Sequence, residues 1–270
     1  MKIAYLIKKN TLVGDPSVLA LLDALRSGGE ELYDVRPGLQ EGTDLLLSFG
    51  GDGTFLSAAS IACKAGVPIL GINLGRLGFL SENEVNAVAG PILDRSFHIE
   101  ERSMLQVLFP EGQCPDGFFP YALNEVVVRR QGTGTLALDV TLDSEPLPTY
   151  WADGILVSTS SGSTAYSLSV GGPICRPDVD AFILAPIAPH NLNLRPLVLP
   201  QGTDFRICGT DRKGAVLALS LDNRDYIIKS GTQVDVTAAP FKLKRAVLGE
   251  SHFIKALREK LLWGEDVRNA

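Results

Sequence analysis

The apolar run Leu45-Leu46-Leu47-Ser48-Phe49 leads straight into Gly50-Gly51-Asp52-Gly53-Thr54 and on into Phe55-Leu56-Ser57-Ala58-Ala59-Ser60-Ile61-Ala62-Cys63. An apolar stretch of strand length, a glycine cluster and a longer apolar segment predict a buried strand, a tight turn and a helix. A strand apolar on both faces belongs inside a parallel sheet covered by helices, so this unit commits the region to an α/β architecture. The glycines leave room for a ligand against the main chain, and Thr54 opens a helix whose free N–H groups attract anions. A carboxylate is electrostatically out of place in such a turn. On the residues alone Asp52 is metal-associated, a proton acceptor for a hydroxyl, or a plain helix cap.

The chain before and after this unit repeats its logic. Residues 3–7 form a short apolar run suited to a central strand, and Asp15-Pro16 is a cap followed by proline at the first helical position. Val18, Leu21, Leu22 and Leu25 then supply a helical stripe that ends at Gly28-Gly29. After the glycine turn the helix should run through Lys64, with Gly66 as terminator, into a strand over 68–73. These βα units predict a Rossmann-like parallel sheet, whose ligands bind beyond the carboxyl ends of the strands. The glycine turn and a second loop, Asn73-Leu74-Gly75-Arg76-Leu77-Gly78-Phe79-Leu80, both fall there.

From about residue 97 the pattern changes to short β-branched runs separated by turn residues, as in Glu125-Val126-Val127-Val128, residues 136–142 and residues 233–236. The expected organisation is an α/β domain over 1–96, a mainly β domain over 97–250, and a C-terminal helix over 251–270 that packs back on the first domain. Ser251 is placed to cap that helix, with Phe253, Ile254, Leu257, Leu261 and Leu262 on one side and Lys255, Arg258 and Lys260 on the other.

With 270 residues, 45% of them hydrophobic and 21% charged, the chain can bury a large core, which argues against disorder. A net charge of −6 argues against bulk nucleic-acid binding, so an anionic ligand would need backbone amides, a few placed cations or a metal. Cys63, Cys114, Cys175 and Cys208 form no C-x-x-C pair and read as reduced core residues. The apolar stretch at the N-terminus is broken by Lys8-Lys9-Asn10, too early for a signal or membrane segment, so a cytoplasmic protein without a membrane partner is expected.

Neither a Walker A motif nor G-x-G-x-x-G is present, and no H-E-x-x-H or cysteine cluster suggests zinc. His98, His190 and His252 are scattered; structural roles are expected, with His190 the candidate exception. A second polar concentration lies at Asp153 and across Thr159-Ser160-Ser161-Gly162-Ser163-Thr164-Ala165-Tyr166, a strand entering a hydroxyl-rich turn and then a helix. Its hydroxyls and amides suit an uncharged polar ligand such as a ribose or carboxamide, with Asp153 able to accept from either; helix capping by Ser163 or Thr164 is the plainer alternative.

These segments, in this order and at these spacings, resemble the NAD kinase family over nearly the whole chain. Gly50 to Thr54 is similar to its GGDGT motif, 73–80 to its glycine loop and Asn124-Glu125 to its Asn-acidic pair. Gly162 to Tyr166 with Gly171-Gly172-Pro173 is similar to its second signature, and residues 186–196 to its Pro-His/Arg-Pro segment. The resemblance implies phosphoryl transfer from ATP or polyphosphate to the adenosine 2′-hydroxyl of NAD, with Mg²⁺ carried on the donor phosphates and no assigned protein metal ligand. It implies Asp52 as the catalytic residue facing that hydroxyl. Phe79 would cover adenine, and Asn124 and Glu125 would hold adenine and ribose. Asp153, Ser163, Thr164, Ala165, Tyr166 and Ala188 would take the nicotinamide-riboside half, with Gly53 near both ligands. The donor phosphates would lie over Gly51, Gly53 and Thr54, with Arg76, Asp222 and Asn223 approaching them. A homo-oligomer, dimer or tetramer, is also implied.

Three positions depart from the family pattern: Thr159-Ser160-Ser161 stands for Thr-Pro-Thr, Trp151 for an arginine, and Asn223 for glycine or histidine. A lipid or sphingoid kinase shares the glycine-aspartate turn, but it would need a membrane-docking apolar or basic patch, which the sequence does not show. A silent NAD(P) sensor would have no use for Asp52.

Overall fold

A computed structural model describes residues 1–75, 77–212, 214, 216–249 and 253–264. Arg76, Ser251 and His252, each named above, lie outside the described residues. The chain divides into two compact units, Met1–Glu101 with Leu243–Ala270, and Arg102–Lys242.

The first unit is the expected α/β layer. Its sheet runs in the order Glu31–Asp34, Lys2–Ile7, Leu45–Phe49, Ile69–Asn73, Leu243–Leu248, Phe97–Arg102, with Asn83–Glu84 beside Ile69–Asn73. Ile3 pairs with Leu45 and Leu46 with Ile69, all in parallel, and every residue of the two central strands is buried. The helix Pro16–Ser27 buries Val18, Leu21, Leu22 and Leu25 as its period predicts, and the Asp15 carboxylate accepts from the Ser17 amide at 2.9 Å. Such a cap stabilises by about 1 kcal/mol, less than the burial of any one of those side chains, so packing rather than capping holds the helix in place.

The unit boundaries differ from the expectation. Phe97–Arg102 and Leu243–Leu248 read as part of the β domain, yet both join the parallel sheet of the first unit. A short β-branched run looks the same whichever sheet receives it. What the pattern could not show is the buried ion pair that ties the returning strand in: Arg245 lies 2.5 Å from Glu82 and 3.4 Å from Glu100. The terminal helix, Phe253–Leu261, does pack on this unit, the Phe253 ring lying 6.1 Å from that of Phe79. Its packed stripe is narrower than the predicted one. Phe253 and Leu261 are half-buried and Ala256 and Leu257 buried, while Ile254 and Leu262 are exposed, so only part of the expected apolar side faces the unit.

The second unit is β, as expected. One antiparallel sheet has the order Leu197–Pro200, Ala181–Ile187, Gly154–Thr159, Glu125–Arg130, Leu217–Leu221, Arg224–Ile228. The other is built on Leu136–Leu142, Phe205–Thr210, Gln233–Ala238 and Leu105–Leu108. Val126, Val128, Ile155 and Val157 of the first share a core with Leu138, Val140, Ile207 and Val234 of the second. The alternate residues Val127, Leu156, Ile183 and Ala185 form a smaller cluster with Val170 and Cys175. Both faces of the central strands are therefore covered, which is why 126–128 and 155–157 are unbroken apolar runs.

The cysteines are free, but only Cys63 is buried and Cys114 is exposed, so the expectation of four core cysteines does not hold. Among the described residues no helix is long and apolar enough to cross a membrane.

Candidate active site

The strand Leu45–Phe49 delivers the chain to Gly50, whose amide bonds to the Ile72 carbonyl at 2.9 Å. The following helix, Asp52–Ala62, begins two residues earlier than Thr54, with Gly51 as an N-cap that offers no side chain. Asp52 thus stands in the first helical turn without capping it. Its carboxylate turns away from its own helix: Oδ2 accepts from the Phe79 amide at 3.0 Å, and Oδ1 from the amides of Leu80 and Ser81, each at 3.0 Å. The Lys260 ammonium completes the set at 3.1 Å from Oδ2. Of the three readings of Asp52, the helix cap is removed by this geometry.

The close approach explains a glycine in the second loop. A Cβ on Gly78 would collide with Asp52 Oδ1 and come within 2.9 Å of the Ser81 carbonyl, so only glycine lets the loop's amides reach the carboxylate. Burial pushes the Asp52 carboxyl up, but the Lys260 charge and the three amides outweigh it and hold the group below its ordinary range. Asp52 is an ionised acceptor at neutral pH. On the outer side, Gly51 and Gly53 are exposed and a Cβ on either would meet nothing, so the main chain of the turn is open to a ligand, while Thr54 is buried. Phe79 packs on the terminal helix, with the Lys260 ammonium 4.9 Å from its ring centroid.

In the second unit the Asn124-Glu125 pair is fixed from two sides. Asp222, at the turn of the hairpin Leu217–Leu221 and Arg224–Ile228, adopts φ 53° and accepts the amides of Leu123, Asn124 and Glu125 at 2.9, 2.7 and 3.3 Å. Its side chain is almost wholly buried, so the expected donor-phosphate residue is turned inward, onto the Asn124-Glu125 pair, while Asn223 beside it is exposed. From the other side Ser158 Oγ donates to the Asn124 carbonyl at 3.1 Å and Thr159 Oγ1 to the Leu123 carbonyl at 2.6 Å. Gly162 sits under this clasp: a Cβ there would run into the Asn124 carbonyl and lie 2.5 Å from Ser158 Oγ. The Glu125 carboxyl is pushed up to about 8 by burial and then by the negative charge of Asp222. Its Oε2 is buried and accepts no hydrogen bond among the described residues. A carboxyl so placed enters the site protonated at neutral pH and can donate as well as accept.

The hydroxyl turn is a 3₁₀ segment, Ser161–Thr164, and a single helical turn, Tyr166–Ser169, shorter than the helix expected. Ser163 is fully buried and its Oγ is shared with the carbonyl and amide of Cys175 at 3.1 and 3.0 Å, which makes it a brace of the turn. Thr164 and Ala165 are half-buried, and Tyr166 and Ala188 are exposed, the latter at φ 46°. Asp153 is held by a residue that sequence reasoning missed: Arg130 grips it through Nε at 2.7 Å and Nη2 at 2.9 Å, and that guanidinium keeps the carboxyl below its usual range. Asp153, Arg130 and Tyr166 line a cleft of about 460 Å³. A second cleft of about 670 Å³ is lined by Trp151, His190 and Arg212. There the Arg212 guanidinium lies 5.2 Å from the Trp151 ring, so the arginine absent at 151 is matched by one reaching over the tryptophan. His190 Nε2 lies 3.4 Å from Thr135 Oγ1.

Comparison with known proteins points to one family. Residues 8–100 match the ATP-NAD kinase N-terminal domain and residues 123–248 the ATP-NAD kinase C-terminal domain. The chain is 40% identical over 235 residues to an NAD kinase of Flavobacterium psychrophilum, covering 86% of this chain and 80% of that one. It is 41% identical over 234 residues to an NAD kinase of Porphyromonas gingivalis, covering 85% and 80%. Among solved structures it is similar to yeast NADH kinase complexed with NADH, at TM-score 0.83 and 25% identity, covering 100% of this chain and 90% of that one. An NAD kinase from Archaeoglobus fulgidus in complex with ATP shares the fold, at TM-score 0.79 and 23% identity, covering 97% and 99%.

Proposed function

The chain belongs to the NAD kinase family, and from that premise we propose that it transfers the terminal phosphoryl group of ATP to the 2′-hydroxyl of the adenosine ribose of NAD, giving NADP. The bond from the terminal phosphorus to its bridging oxygen breaks, a bond to the ribose 2′-oxygen forms, and the hydroxyl proton passes to Asp52. The observation that carries this reading is the Asp52 carboxylate, withdrawn from its own helix and aimed by three amides of residues 79–81. A carboxylate held below its ordinary range is a weak base for an alcohol. A loose phosphoryl-transfer transition state asks mainly for orientation, with proton removal late, and that suits it.

The open main chain at Gly51 and Gly53 takes the donor phosphates through amides at a helix N-terminus. Asn124 and the protonated Glu125 bind the adenosine half of NAD, and Asp153 and Tyr166 the nicotinamide-riboside half. Mg²⁺ would come as a companion of the donor, since this cation is commonly bound through substrate phosphates. When bound it neutralises the charge on those phosphates. Use of polyphosphate, a homo-oligomeric state and a cytoplasmic location belong to the same proposal and rest on the family likeness.

Purified protein with ATP, Mg²⁺ and NAD should yield NADP, and Asp52→Asn should abolish it while NAD still binds. No NADP from any phosphate donor removes the reading.

A further inference from the structure

The reaction requires an Asp52 oxygen to face the acceptor hydroxyl. A carboxylate offers about four lone-pair sites, and on Asp52 four donors already fill them: the Leu80 and Ser81 amides on Oδ1, and the Phe79 amide and Lys260 Nζ on Oδ2. The three amides belong to one turn and cannot leave without unmaking it. Lys260 stands at the end of a flexible four-carbon stem, its side chain about one-third exposed. It is the one donor of the four that can leave.

The place of Lys260 is built. Lys260 lies seven residues on from Phe253 in the terminal helix, and although the residue is exposed, as the sequence pattern expects, its ammonium is turned in to Asp52 Oδ2. Phe253 lies against Phe79, and the Lys260 ammonium lies over the same Phe79 ring, so one aromatic residue of the catalytic loop positions both helix and lysine. Holding a cation against a carboxylate that must receive a proton has no use in the chemical step unless the cation has somewhere else to go. The open turn at Gly51 and Gly53, in the same unit as Lys260, is where the donor phosphates are proposed to lie.

We propose that Lys260 is a donor-side residue of the reaction that changes partner in the cycle, leaving Asp52 Oδ2 for the donor's terminal phosphate as the triphosphate arrives. The exchange keeps the ammonium paired throughout, neutralises charge on the phosphate in flight, and frees one carboxylate lone pair for the 2′-hydroxyl. Lysine suits this as a compact charge with three donors on a flexible stem. Until the donor binds, the acceptor hydroxyl finds Asp52 occupied.

The inference rests on the NAD kinase reading, which fails separately if the wild-type chain forms no NADP. The test uses the full chain as wild type, Lys260→Met and Lys260→Arg, with thermal melts to establish that the variants are folded; Lys260→Gln replaces Lys260→Met if that melt is lost. Lys260→Met should weaken ATP binding by about tenfold, the scale of one lost hydrogen bond to a charged group, and raise the KM for ATP with the KM for NAD within about twofold. ADP binding, which lacks the terminal phosphate, should change by less than about threefold on the same scale. Lys260→Arg, keeping the charge, should recover part of the ATP affinity. An unchanged KM for ATP in folded Lys260→Met, or equal losses for ATP and ADP, overturns the proposal. So does a rise in kcat with ATP affinity intact, because Lys260 would then only obstruct Asp52.

Discussion

Asp222 accepts the Asn124 backbone amide at 2.7 Å across 98 residues of sequence, and the same carboxylate takes the amides of Leu123 and Glu125. The Asn124-Glu125 pair is therefore held by a buried carboxyl at a hairpin tip. Asp222→Ala leaves three donors without this partner and should destabilise the chain by roughly 3 kcal/mol or more, from ~1–3 kcal/mol for each buried group stranded. Asp222→Asn keeps an acceptor oxygen and a residue tolerant of positive φ, so it should cost less. Urea denaturation of the two variants checks the order. In Asp222→Ala the KM for NAD should also rise, while the KM for ATP stays near wild type.

Asp52→Asn keeps the volume of the side chain but removes its charge and one acceptor. Loss of general-base and orienting power should lower kcat by about 10²–10⁴-fold. NAD affinity measured by calorimetry should stay within a factor of about three, well below the roughly tenfold scale of one lost charged contact. Loss of NAD binding in step with kcat would show that Asp52 holds the loop 79–81 rather than the reaction.

Glu125 gives a pH signature. Its carboxyl is raised from 4.5 to about 8 in the fold, burial being the larger cause and Asp222 the second. A raised acid is bound to its proton in the native state and not in the unfolded one. Its contribution is therefore complete below the unfolded value and is lost as pH rises through about 8. Glu125→Gln should flatten the fall of stability from pH 5 to 9, a change of a few kcal/mol at most by the ~1.4 kcal/mol per pKa unit of linkage. Chemical denaturation across that range measures it. An identical pH slope in mutant and wild type would falsify a protonated Glu125.

Much of this was legible in the residues because it is local. The strand–turn–helix at 45–62, the Asp15 cap and the apolar runs of the second unit each follow from spacing and burial between near neighbours in the chain. What escaped is long-range. Arg130 on Asp153, Asp222 under Asn124 and Arg245 on Glu82 join positions 23, 98 and 163 apart (245 − 82), and no periodicity carries such pairs. The exposure of Ile254 escaped for another reason. It neighbours Phe253 and Leu257 on the helical wheel and reads as part of their stripe, and only the packing of Phe253 beside Phe79 shows which edge of that stripe faces solvent.

Gly53 separates the needs of the fold from those of the ligand. It lies in the first turn of the helix Asp52–Ala62, is exposed, and a Cβ there would meet nothing within 4 Å. The fold alone would favour alanine by ~0.8–1 kcal/mol of helix propensity. Gly53→Ala should thus raise the melting temperature by a few degrees, the ~4 °C or less that about 1 kcal/mol is worth in a chain of this length. Donor phosphates lying against the main chain would meet the new methyl, so the KM for ATP should rise by at least about tenfold, the scale of one lost charge-assisted hydrogen bond. Gly162→Ala is its opposite. There a Cβ strikes the Asn124 carbonyl and Ser158 Oγ, so stability should fall and the KM for NAD rise. Melting curves and the two KM values on both variants distinguish a glycine kept open for a ligand from one required by packing. A Gly53→Ala protein that is more stable and fully active would show that nothing is bound against the turn.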